Sequence, residues 1–248
     1  MGHRFATMAL GPVLFAQGRW VRRRVPGLPE ASGPRSGSRG AGPPLRLLIA
    51  GDSAAAGVGA ATQSQALAGR LVTALEQDFR LTWRLEAKTG ATTADVLARL
   101  RDLEGGPYDV LVTSLGVNDI TRGVGLEAWL AQQAGLLRLA RARLGTSLFV
   151  IAGLPPIDGF PALPQPLRWY LGRRAKEFTH HLRGLLDQEP SAHFVDLRFT
   201  LDASLMASDG FHPGPVIYQG WAERVAELIR ANWRDAPPDE AAGSRTDG

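Results

Sequence analysis

The 248-residue chain contains no cysteine, which excludes disulfide cross-links, thiolate metal sites and redox chemistry through protein thiols. It also lacks a long hydrophobic run. The most apolar stretch near its start, residues 5–17 (FATMALGPVLFAQ), is short for a bilayer span and is interrupted by Gly11 and Pro12. Nor does this stretch have the layout of a secretory leader. Only Arg4 precedes it, whereas Arg19, Arg22, Arg23 and Arg24 follow, so export is not expected and a cytoplasmic location is. Acidic residues are scarce at the same end. Residues 1–44 hold seven arginines against Glu30, a net +6, which leaves −2 for the remainder. The overall charge of +4 is thus a property of the N-terminal segment. No zinc-finger, RNP-like or helix-turn-helix pattern accompanies it, so nucleic acid is not an expected partner. The ligand spacings H-x-x-x-H and D-x-D are missing, as is G-x-G-x-x-G, so neither a metal nor a dinucleotide cofactor is expected.

What is present falls into four parts. Residues 1–25 form an apolar and basic N-terminal segment. Two readings of residues 1–24 stay open: an interfacial helix laying Trp20 and the arginines on anionic lipid, or a helix packed on the domain or a mobile tail. Residues 26–44 (PGLPEASGPRSGSRGAGPP) are dense in Gly, Pro and Ser and read as a flexible linker. Residues 45–234 read as one folded domain, and residues 235–248 as a disordered tail resembling the linker.

Within 45–234, strands and helices alternate, the pattern of a parallel sheet covered on both faces. Five strands are expected, at residues 45–50, 81–87, 108–115, 147–152 and 193–196. Helices are expected at 63–79, 94–103, 126–144, 167–187 and 215–234, with Leu67, Leu71, Ala74 and Leu75 marking one face of the first. The stretch after residue 152 has five prolines (Pro155, Pro156, Pro161, Pro164, Pro166) and reads as a rigid loop.

In such sheets ligands bind beyond the carboxyl ends of the strands. Ser53 follows the first strand, Gly90 the second, Asn118 the third, and Asp209 and His212 the fifth, so these residues share one rim. Ser53 lies where a strand runs through Gly51-Asp52-Ser53 into small residues, a turn expected to place it at a helix N-terminus. There it is either a helix cap or a nucleophile. A serine hydroxyl needs a base to take its proton, and His212 can supply one. Asp209, three residues earlier, can reach the imidazole Nδ1. The backbone N–H groups of Ser53 and Gly90 and the side-chain amide of Asn118 are candidate donors to an oxyanion. Asp52 and Asp119 are expected to tie their own turns, as Asp does beside glycine. His180 and His181 read as part of a solvated basic helix face.

These blocks, Gly51-Asp52-Ser53 with Gly57, Gly90, Gly116-Val117-Asn118-Asp119, and Asp209-Gly210-Phe211-His212-Pro213, resemble those of the SGNH hydrolase superfamily, the GDSL-type esterases and lipases. The resemblance covers nearly all of residues 45–234. It implies a three-layer α/β/α flavodoxin-like sandwich with a five-stranded parallel sheet. It also implies a serine ester hydrolase with Ser53 as nucleophile, His212 as base, Asp209 as its orienting acid, and Ser53, Gly90 and Asn118 as oxyanion hole. Ala54 departs from the name-giving motif, which has leucine there. Position 55 is alanine, so no G-x-S-x-G elbow surrounds Ser53.

Ile157, Phe160 and Leu163 of the proline loop, with Met206, are candidate substrate-binding residues on the apolar side of the rim; they serve equally well as core beneath a long loop. The substrate expected is a small or lipid-like acyl ester. A thioesterase, a carbohydrate deacetylase and a catalytically silent binding protein or membrane-tethered adaptor of the same fold are the alternatives.

Overall fold

The computed structural model describes residues 2–197 and 203–233. Its centre is a sheet whose strands are β1 (Ser36–Arg39), β2 (Pro44–Gly51), β3 (Arg80–Ala87), β4 (Val110–Ser114), β5 (Leu148–Ala152) and β6 (Ala192–Val195), in spatial order β1-β3-β2-β4-β5-β6. The five strands from β2 to β6 run parallel, and β1 pairs antiparallel with β3. The helices are α1 (Gly2–Arg24), α2 (Leu67–Leu75), α3 (Thr93–Arg101), α4 (Val117–Thr121), α5 (Leu126–Leu144), α6 (Leu167–Leu186) and α7 (Pro215–Asn232).

The strands are continuous apolar runs because both faces are covered. Every residue of β4 and β5 is buried. Leu45, Leu47 and Ile49 of β2 face a layer built by α2 and α7, with Leu71, Tyr218 and Trp221. Leu48 and Ala50, alternating with them, face α3, α5 and α6, with Trp129 and Phe178. The result is the expected three-layer α/β/α sandwich. Strand order reverses at β2, so a crevice opens between the carboxyl ends of β2 and β4.

Four expectations need correction. The sheet has six strands, not five, because the segment read as a linker contributes β1. It pairs along the edge of β3, where a side chain on Gly37 would crowd Trp83. The preceding residues are also anchored. Ala31 is buried, and Glu30 accepts hydrogen bonds from the Thr89 N–H and hydroxyl at 2.7 and 2.8 Å. The first domain helix is shorter than expected, a 3-10 turn at Gln63–Gln65 followed by α2. Finally, no helix starts at Ser53. The chain closes a tight turn instead, with Ala56 N–H donating to Asp52 O and Val58 N–H to Ser53 O. Gly57 then takes φ +84°, where a side chain would be strained and would also meet Ala31 and Ala66, so the helical path ends.

α1 passes through Pro12 without a break and packs on the domain beside α6, with Leu14 buried. Among the described residues, no helix is long and apolar enough to cross a membrane. The expected boundary at residue 234 and the tail 235–248 lie outside the described residues.

Candidate active site

The rim is assembled from loops that the fold brings within bonding distance. Asp52 N–H donates to Ser114 O at 3.2 Å, locking the end of β2 to the end of β4. The Asp52 carboxylate accepts the Ala54 N–H at 3.0 Å, fixing the turn that presents Ser53. From the far end of the chain, the loop before α7 folds back on itself. Ala207 N–H bonds His212 O and Gly214 N–H bonds Leu205 O, so His212 is held on a closed loop. The Tyr218 hydroxyl donates to Val58 O at 2.7 Å and ties α7, which follows that loop, to the serine turn.

His212 Nε2 lies 3.0 Å from Ser53 Oγ, and its Nδ1 lies 2.5 Å from Asp209 Oδ2. The other carboxylate oxygen of Asp209 accepts the backbone N–H groups of Phe211 and His212 at 2.9 and 3.0 Å. Burial of Asp209 acts to raise its pKa. The His212 hydrogen bond and the two backbone donors outweigh it and hold the carboxyl below the ordinary range. An ionised carboxylate here accepts the Nδ1 proton, which leaves Nε2 as an acceptor toward Ser53.

The candidate oxyanion donors come from three separate turns. The backbone N–H groups of Ser53 and Gly90 donate to no protein acceptor among the described residues. Gly90 adopts φ +80°, a left-handed turn that glycine allows without strain. Asn118 Nδ2 donates one hydrogen to Ala91 O at 3.0 Å, which fixes its orientation and leaves its second hydrogen for a ligand. Arg122 donates to Gly90 O, so the Gly90 turn is bonded from α4 as well.

A model of the GDSL-like lipase/acylhydrolase family matches residues 49–220. The chain belongs to that family. Solved structures similar to the acylhydrolase include a lipolytic G-D-S-L family member from Veillonella parvula DSM 2008, at TM-score 0.60 and 14% identity over 75% of this chain and 98% of that one. They also include the psychrotrophic esterase EstA from Pseudoalteromonas sp., at TM-score 0.57 and 22% identity over 75% and 97%. A third is TesA, at TM-score 0.55 and 25% identity over 76% and 100%. No curated protein sequence matches the chain. The acylhydrolase is a serine ester hydrolase of the SGNH superfamily, with the fold that the resemblance implied.

Beside Ser53 and His212 the acylhydrolase has a cavity of about 60 Å³ that opens to solvent. Phe160 and Met206 line it. Ile157 does not: it is fully buried in the core beneath the proline loop, a correction that follows from the 3-10 turn turning its side chain inward. Leu163 lines a second cleft. Sequence reasoning missed Leu197, Ile217 and Trp221 in the cavity wall. Leu197 follows β6 at the expected rim, but Ile217 and Trp221 read only as the apolar face of α7. Ala54 also lines the cavity, next to Ser53.

Asp52 and Asp119 behave differently from each other. Asp52 ties its own turn, and burial pushes its pKa from 3.8 to about 7, opposed by the Ala54 donor and the attraction of His212. Asp119 reaches across instead of closing its own turn. Its carboxylate accepts the Thr93 N–H and hydroxyl at 3.1 Å, while Thr93 Oγ1 accepts from Trp129 Nε1 at 3.0 Å and from Gln133. The reason is tertiary: Thr93 opens α3, and its N–H has no partner within the helix. His180 and His181 are exposed on α6, far along the chain from the rim in the basic face expected of them.

Proposed function

We propose that Ser53 is the nucleophile of this ester hydrolase and that it acts on small or lipid-like acyl esters through an acyl-enzyme. The observation that carries the reading is the Asp209–His212–Ser53 relay at 2.5 and 3.0 Å, opening onto an apolar cavity. Ser53 Oγ attacks the ester carbonyl carbon while His212 Nε2 takes the hydroxyl proton. The carbonyl oxygen becomes an oxyanion facing the N–H groups of Ser53 and Gly90 and the free hydrogen of Asn118 Nδ2. Collapse breaks the bond to the alcohol oxygen, which leaves with the proton from His212. A water, deprotonated by His212, then attacks the acyl-enzyme, and release of the acid returns the proton to Ser53.

The acyl chain is taken by the cavity, whose wall is mostly apolar: Ala54, Leu115, Phe160, Met206, Ile217 and Trp221. The test is fluorophosphonate labelling with mass spectrometry, beside turnover of p-nitrophenyl esters. A single adduct on Ser53 is expected, and Ser53→Ala should lose about 10⁴- to 10⁶-fold in kcat while keeping its fold. A folded Ser53→Ala protein with undiminished activity would remove Ser53 from the mechanism.

A further inference from the structure

The cavity beside Ser53 does not account for all the space at the rim. A second cleft, of about 630 Å³ and open to solvent, runs between α1 and the body of the domain. One wall is α1, through Leu14, Phe15, Val21 and Arg22; the facing wall is α6, with Tyr170 and Arg174; the floor is α4 and its C-cap, with Asn118 and Arg122. Phe211, beside His212, lines both the cleft and the cavity, and Asn118 is among the residues lining the cleft.

The cleft is a built feature. Gln17 of α1 donates through Nε2 to Gln165 O at 2.6 Å and accepts the Leu167 N–H at 3.0 Å, satisfying the first N–H of α6. Leu14 is buried on the same side. α1 is therefore seated at a set position, and it lies outside the family match at residues 49–220.

The lining chemistry is one-sided. It includes three arginines and no aspartate or glutamate. Arg122 shares Asp95 at 3.7 Å. Neither Arg22 nor Arg174 forms an ion pair among the described residues. Arg174 donates to Val124 O at 2.7 Å and stacks its guanidinium over Phe178 at 5.0 Å, while its buried Nε has no partner among the described residues. A partly buried guanidinium held only by a carbonyl and a ring lacks the counter-charge that would offset its desolvation. Alongside these cations run apolar surfaces, with Phe15 left 68% exposed.

We propose that this cleft receives the alcohol half of the ester, and that this half is an anionic amphiphile. Its charged group meets Arg22 and Arg174, and its apolar stem lies along Phe15, Val21 and Tyr170 toward Asn118. The inference rests on the assignment of Ser53 and Asn118 to the reacting end, and it adds a substrate class that the catalytic geometry alone does not specify.

The test uses octyl phosphate, octyl glucoside and inorganic phosphate as probes on the full-length chain. Calorimetry on Ser53→Ala reads binding without turnover. Octyl phosphate should bind about tenfold or more tighter than octyl glucoside, the scale of one charge-assisted contact. Inorganic phosphate, which lacks the stem, should bind far more weakly than octyl phosphate. Arg174→Ala should bring the two octyl probes within about threefold of each other. Arg22→Glu, on an exposed helix face where folding is not at stake, should do the same. With the active chain, octyl phosphate should raise KM for p-nitrophenyl butyrate without lowering kcat. Equal binding of the two octyl probes, a preference that survives both arginine variants, or inorganic phosphate matching octyl phosphate would each overturn the proposal. Because binding is read on Ser53→Ala, it stands apart from the nucleophile assignment, which fails instead through an active Ser53→Ala.

Discussion

At the scale of single residues, the site depends on who holds each donor and acceptor. Asn118 gives one amide hydrogen to Ala91 O and keeps the other, so its side chain is preorganised and carries no charge. Removing such a donor costs about 3–4 kcal/mol in the transition state. Asn118→Ala should therefore lower kcat by about 10²- to 10³-fold with little change in KM, read by steady-state kinetics on a short p-nitrophenyl ester. A change confined to KM would mean that Asn118 binds the ground state. Ala54 offers a second residue-level test. It lines the cavity where the family motif has leucine, so the missing side chain leaves space beside Ser53. Filling that space costs about 1–3 kcal/mol when a chain must share it. Ala54→Leu should leave p-nitrophenyl acetate turnover nearly unchanged and cut the octanoate-to-acetate ratio of kcat/KM by about tenfold or more. A uniform fall across chain lengths would show that Ala54 supports the turn and not the acyl pocket.

At the scale of elements, α3 and α4 are coupled through a buried carboxylate. Asp119 of α4, with no exposed surface, accepts both the N–H and the hydroxyl of Thr93 at the start of α3, and Thr93 in turn receives Trp129 of α5. Burial raises the Asp119 pKa, and the Thr93 bonds counter it. Asp119→Ala would leave two buried donors unpaired, each costing about 1–3 kcal/mol. Urea unfolding should show a loss of about 2–5 kcal/mol, and kcat should fall because α4 carries Asn118. Asp119→Asn, which keeps one acceptor, should lose less of both. If Asp119→Ala kept full stability, the network would not be what positions α4. Most of these elements were legible in the sequence. The α5 bounds at residues 126–144 agree with the expectation, because a long apolar period ends at Gly145 in a left-handed C-cap. The five-residue α4 and the four-residue β1 were not legible. Such short segments contain too few residues for a period, and β1 is stable because β3 offers it an edge.

At the scale of the whole molecule, the buried carboxylates set opposing pH dependences. The Asp52 pKa is raised in the folded state, so its contribution is fully present below its ordinary value of 3.8 and is lost as pH climbs to about 7. The shift corresponds to something on the order of 4 kcal/mol. The Asp209 pKa is lowered, so its contribution is present above the ordinary range and is lost as pH falls through its folded value. Asp52→Asn retains an oxygen for the Ala54 N–H and should flatten the decline in stability between about pH 4 and 7, leaving the acid limb in place. Denaturant titrations across that range would read this directly. Parallel declines in both proteins would assign the slope to other groups.

The sequence by itself determined the alternation of strands and helices, and hence the parallel sheet, because apolar periods and turn residues are local properties of the chain. With the strand-end rule it also put Ser53, Gly90, Asn118, Asp209 and His212 on one rim. It did not determine that Ser53 sits on a non-helical turn, that Asp119 serves Thr93, or that Ile157 is core while Trp221 lines the cavity. Those depend on which surfaces meet after folding. The same holds for α1: its apolar and basic residues left a membrane face and a packed helix equally open. Its place beside α6 is fixed by Gln17 bonding to residues about 150 positions away, a contact with no trace in local sequence.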